Sequence, residues 1–97
     1  MARKSNEQTL KEVINEMLET YKLKGKLNEH RLITSWEKVM GKVITKRTTD
    51  IYIKNKKLYL RLSSAALREE LIYAREKIIT MMNDEVGEKV IEEVILM

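Results

Sequence analysis

The chain has 97 residues, with 19 lysines and arginines against 15 aspartates and glutamates, a net charge of +4, and neither cysteine nor proline. A chain of this length builds one hydrophobic core, and 43% apolar with 35% charged residues describes a globular domain, not a disordered one. Lack of cysteine excludes a disulfide framework and a thiolate metal site; no stretch approaches the roughly 18 apolar residues of a membrane span, and the polar start is no signal peptide, so a soluble cytoplasmic protein is expected.

Residues 1–7 read as a flexible start and 8–97 as one domain. Ser5 followed by Gln8 is a capping-box spacing, and Leu10, Val13, Ile14, Met17, Leu18 and Tyr21 share one helical face. That pattern predicts a first helix with a single buried stripe, broken at Gly25. A second helix is expected from about Asn28, with Leu32, Ile33, Trp36, Val39, Met40 and Val43 on its apolar side. Gly41 lies inside this pattern; the helix is expected to run through it, with the glycine admitting a neighbouring backbone.

From Thr49 the period changes to two. Ile51 and Ile53 alternate with Asp50, Tyr52 and Lys54, and Leu58, Leu60 and Leu62 alternate with Lys57, Tyr59 and Arg61. These are two half-buried strands, and Asn55-Lys56 suits a two-residue hairpin turn. Ser63 or Ser64 caps a third helix carrying Leu67, Leu71, Ile72, Ala74, Ile78, Ile79 and Met82 on its apolar face, with Gly87 as its stop. Val90 to Leu96 is short and β-branched and reads as a third strand whose Val94 and Leu96 face the core.

The expected fold class is therefore α+β, in the order α-α-β-β-α-β, with a three-stranded sheet and helices packed on one face. The other face is left to Tyr52, Lys54, Lys57, Tyr59 and Arg61. Charge is lopsided in the same sense: residues 42–61 hold Lys42, Lys46, Arg47, Lys54, Lys56, Lys57 and Arg61 against Asp50 alone. Residues 84–97 hold Asp84, Glu85, Glu88, Glu92 and Glu93 against Lys89. Such a distribution steers a polyanion to one side, and it equally describes a solvated, solubilising surface.

Catalytic chemistry has little to build on. Glu69 and Glu70 point about 100° apart on a helix and do not face a common substrate, and His30 has no second ligand at metal spacing. Neither Lys24-Gly25-Lys26 nor Met40-Gly41-Lys42 has a phosphate-loop pattern. No cofactor, metal or catalytic residue is expected. The hairpin's polar face is the candidate site, because tyrosines interleaved with cations stack bases and neutralise phosphates together; the same residues also suit any exposed strand. Trp36 reads as core.

At Trp36-Glu37-Lys38-Val39-Met40-Gly41 the chain resembles the bacterial family called domain of unknown function 721, which includes the DciA replicative-helicase loaders and whose hallmark is Trp-x-x-Val-x-Gly. Thr48, the stretch Leu58-Tyr59-Leu60-Arg61-Leu62-Ser63, the pair Glu70-Leu71, and Gly87 with Val90 and Val94 extend the likeness over about residues 8–96. Arg47 and Thr49 stand where members often have histidine and proline. The resemblance implies a KH-like domain, contact with the hexameric replicative DNA helicase, and DNA binding, single-stranded, that assists helicase loading. Two functions follow: a non-enzymatic replication accessory protein that binds DNA through Lys42, Lys46, Arg47, Tyr52, Lys54, Lys56, Lys57, Tyr59 and Arg61, or a protein-only adaptor without nucleic-acid binding.

Overall fold

A tight turn sets the register of the sheet. In the computed structural model, which describes residues 6–97 and side chains from Thr9 onward, Asn55 and Lys56 have φ of 51° and 62°. Positive φ at both central residues is the type I′ arrangement, whose twist matches that of paired strands. It joins β1 (Thr48–Lys54) to β2 (Lys57–Leu62) as an antiparallel hairpin that pairs Lys54 with Lys57 and Tyr52 with Tyr59. Near its start β1 carries a bulge between Thr48 and Asp50. The last strand, β3 (Glu93–Leu96), runs parallel to β2, with Leu58 beside Val94 and Tyr59 beside Ile95, and the strand order is β1-β2-β3.

Helices cover one face only. They are α1 (Asn6–Thr34), α2 (Trp36–Met40) and α3 (Lys42–Arg47) before the hairpin, then α4 (Ala65–Tyr73) and α5 (Arg75–Val86) between β2 and β3. Leu32 of α1, Leu58 and Leu60 of β2, Ile78 and Met82 of α5, and Ile91 ahead of β3 are fully buried. Trp36, Leu62, Leu71, Val86, Val90 and Val94 complete this core, with Ile51, Ile53, Leu67 and Leu96 packed against it. The Ser64 hydroxyl accepts from the Leu67 amide at 3.2 Å and caps α4. Gly87, at φ 88° and ψ 10°, ends α5 in the left-handed region.

Three expectations about the helices fail, each for a physical reason. Gly25 does not break the first helix, which continues to Thr34; an isolated glycine costs a helix about 1 kcal/mol, too little to stop it. The second helix is instead interrupted at Ser35. There the Ser35 hydroxyl donates to the Arg31 carbonyl at 2.7 Å while the Ser35 amide divides between Arg31 and Leu32, the back-bonding that bends helices at serine. Gly41, at φ 89° and ψ 167°, breaks the pattern again. Its role is the positive φ itself, because nothing lies within 4 Å of where a Cβ would stand. Val43 accordingly points away from the core and is exposed. The third helix is divided at Ala74, whose amide makes a tightened bond to Leu71.

The largest correction concerns the first stripe. Leu10, Val13, Ile14, Met17, Leu18 and Tyr21 share a face as expected but are all exposed, from 47% to 67%. A helix of 29 residues spans about 43 Å at 1.5 Å per residue, twice the width of a molecule that measures 67 × 21 × 20 Å. Asn28 and Leu32 at its C-terminal end are buried and Lys24 pairs with Glu88, whereas residues 9–27 are all exposed and the N-terminal turns of the helix overhang the domain. Periodicity identifies which side chains share a face, not whether a neighbouring surface reaches them. The expected capping box depends on Ser5 and the Gln8 side chain, outside the described residues, as are residues 1–5 of the expected flexible start.

This division predicts unequal costs on truncation. Leu58→Ala lowers stability by about 2–5 kcal/mol, whereas Leu18→Ala changes it by no more than about 0.5 kcal/mol. Urea denaturation of the two variants checks the pair; a loss of several kcal/mol at Leu18 would show the overhanging stripe to be covered within the monomer.

Candidate functional site

Alternation along the strands turns Tyr52 and Lys54 of β1, and Lys57, Tyr59 and Arg61 of β2, to the face opposite the core leucines. The five sequence-predicted residues of the hairpin therefore share one surface. The remaining four do not join it directly. Lys42, Lys46 and Arg47 are exposed on α3, at the Thr48 end of β1, while Lys56 sits in the turn at the other end, some 20 Å away along the strand at about 3.3 Å per residue. None of these seven cations makes an ion pair among the described residues, whose bridges are Lys22–Glu19, Lys24–Glu88 and Lys38–Glu85.

The surface is ordered in rows across the sheet. One row holds Lys54, Lys57 and Glu93, the next Tyr52, Tyr59 and Ile95, and a third begins with Asp50 and Arg61. Asp50, on the outward parity of β1, joins this face, and so do Glu93 and Ile95, which the expected set of face residues omits although the inward parity of Val94 implies that they turn outward. Two acids thus stand opposite two of the three cations, so the face carries less positive charge than the sequence count alone conveys. Between the charged rows the two tyrosine rings stack, centroids 4.8 Å apart and planes 8° from parallel.

A second group of residues anchors this sheet to the helices. The Trp36 indole Nε1–H donates to Thr48 Oγ1 at 3.1 Å, and the Thr48 hydroxyl donates in turn to the Ile44 carbonyl at 2.7 Å. Buried Trp36 is thereby satisfied and ties α2 to the start of β1. Val39 packs against the core, and Gly41 supplies the positive φ at the break between α2 and α3. Trp36, Val39, Gly41 and Thr48 each have a defined mechanical task in this junction. On the far side, Asn83 Oδ1 accepts from the Val90 and Ile91 amides while its Nδ2 donates to the Ile91 carbonyl, and Arg68 donates to the carbonyls of Leu62 and Met97. Spacing offered no sign of these two clamps.

The family model of DciA, the Dna(CI) antecedent, matches residues 9–96. The chain belongs to the DciA family. That match takes in the tryptophan junction, the hairpin and β3, and the DciA family is linked to loading of the replicative helicase DnaB. No curated protein and no solved structure matches the chain significantly. Among the described residues no helix is long and apolar enough to cross a membrane.

If the Trp36–Thr48 bond holds the DciA-family junction, Thr48→Val keeps the β-branched shape but leaves a buried N–H without a partner. The expected cost is about 1–3 kcal/mol, read from chemical denaturation with Trp36, the one tryptophan, as the fluorescent probe. An unchanged midpoint would remove the bond from the account.

Proposed function

We propose that this chain is a non-enzymatic accessory protein of DNA replication, which binds single-stranded DNA on the open face of its sheet and the replicative helicase on α1, and so assists helicase loading. The observation that carries the reading is the uncovered face itself: a tyrosine pair flanked by Lys54, Lys57 and Arg61, none of them held in an ion pair among the described residues. Aromatic rings and free cations on one surface are the combination that single strands use, stacking their bases and releasing counterions from their phosphates. Lys42, Lys46, Arg47 and Lys56 extend positive charge to both ends of β1, along the path of a longer strand.

The helicase contact is supported by membership of the DciA family together with the overhang of α1. A contiguous apolar stripe in water marks a protein-interaction surface, and Leu10, Ile14, Met17 and Tyr21 have the i, i+4, i+7, i+11 spacing of a helix that docks through one side. Action by binding agrees with the exposure of Glu69, Glu70 and His30. The cytoplasm is the compartment in which this function is exercised. A protein-only adaptor is the second reading, favoured by Asp50 and Glu93 standing across from Arg61 and Lys57 on the open face.

Two measurements separate these readings. With a labelled single strand, fluorescence anisotropy of Lys54→Glu, Lys57→Glu and Arg61→Glu combined is expected to show binding at least tenfold weaker. The slope of log affinity against log salt should fall by about 2, at about 0.7 per phosphate; unchanged affinity in a folded variant removes the sheet face from the account. In a nuclease-treated pull-down, Ile14→Glu with Leu18→Glu is expected to abolish capture of purified replicative helicase. Helicase capture combined with no DNA binding at low salt selects the adaptor reading.

A further inference from the structure

The two tyrosines of the open face are not equivalent. Their centroids lie 4.8 Å apart with planes 8° from parallel, a separation equal to the spacing of neighbouring strands. Rings lying flat and side by side on the sheet could not come so close without overlap of their edge hydrogens. The rings therefore stand on edge, each turning one face to the other and its rim to solvent. Each has a single remaining face. That of Tyr59 turns toward β3, where Ile95 is its register partner. That of Tyr52 turns outward past β1, which is the edge of the sheet; Tyr52 is exposed at 39%, while Tyr59 is half-buried.

We infer that the domain holds one stacked nucleobase, on the outer face of Tyr52 at the free edge of β1, with Tyr59 serving as the backing ring that keeps Tyr52 upright. This rests on the nucleic-acid reading above and narrows it from a two-ring platform to a single base slot. The neighbours of Tyr52 on the same strand and face are Lys54 toward the turn and Asp50 on the other side. A nucleotide's phosphate is therefore drawn to the Lys54 side and repelled from the Asp50 side, which orients the strand toward the hairpin turn. A base has a flat apolar face for any sequence, so the slot takes single strands without strong sequence preference, whereas a paired duplex keeps its bases stacked on one another and offers none.

The test uses the full chain with a fluorescein-labelled oligothymidylate and an oligonucleotide of equal length whose residues are abasic. Tyr52→Leu is expected to weaken oligothymidylate binding about 5- to 150-fold, the range of one lost base stack, and to leave binding of the abasic strand within twofold of the unaltered chain. Tyr59→Leu, which removes only the backing ring, is expected to weaken oligothymidylate binding at least fivefold less than Tyr52→Leu. In the unaltered protein, ring-proton NMR signals of Tyr52 should move on adding oligothymidylate by more than those of Tyr59, a readout that needs no variant to fold. Equal losses at the two tyrosines, or equal ring shifts, would overturn the single slot while leaving nucleic-acid binding intact. An unaltered chain that binds neither strand at low salt would overturn the nucleic-acid reading and the slot together.

Discussion

Side chains on a strand alternate with a period of two, and every feature of this sheet depends on the one register that the Asn55–Lys56 turn allows. With Lys54 paired to Lys57, Ile51, Ile53, Leu58, Leu60 and Leu62 turn to the helices and Tyr52, Tyr59 and Arg61 turn away. A slip of one residue would place leucines in water and tyrosines in the core. The same register that closes the hydrophobic core thus creates the exposed face, so a slip in the pairing would lose both together.

The helices are joined to that sheet by few but specific polar bonds. Trp36 fills the core and meets Thr48 through its indole N–H, Thr48 returns a bond to Ile44, and Gly41 gives the chain the positive φ it needs between the two short helices. Residues twelve apart in sequence are so brought together that the tryptophan, valine, glycine and threonine of the family motif act as one mechanical unit. Its task is to deliver the chain into β1 at a fixed place. Asn83 and Arg68 perform the corresponding service for β3, holding its entry and its end.

The hairpin, the Ser64 cap, the Gly87 stop and the inward face of β3 were legible in the sequence because each depends on local stereochemistry or on alternation within a few residues. The breaks at Ser35 and Ala74 were not, since a serine or alanine in an apolar helical pattern signals a bend only through the carbonyl it happens to meet. The fate of Leu10 to Tyr21 was illegible for a different reason: their spacing is that of a buried stripe, and only the dimensions of the rest of the molecule leave it uncovered. At the candidate site the shared face of the five hairpin residues was readable. The mutual stacking of Tyr52 and Tyr59, and the acids set across from their neighbouring cations, depended on pairing between strands that composition does not reveal.

Two surfaces of unlike chemistry result, an aromatic and basic face on the sheet and an apolar stripe on a projecting helix. We propose the first of these as the surface that meets single-stranded DNA. Amide chemical-shift mapping of the isotopically labelled chain during titration with a short single strand tests it most directly. The shifts are expected to gather at Asp50 to Arg61 and to fade as salt is raised. Shifts gathered instead along α4 and α5, with β1 and β2 unmoved, would contradict it.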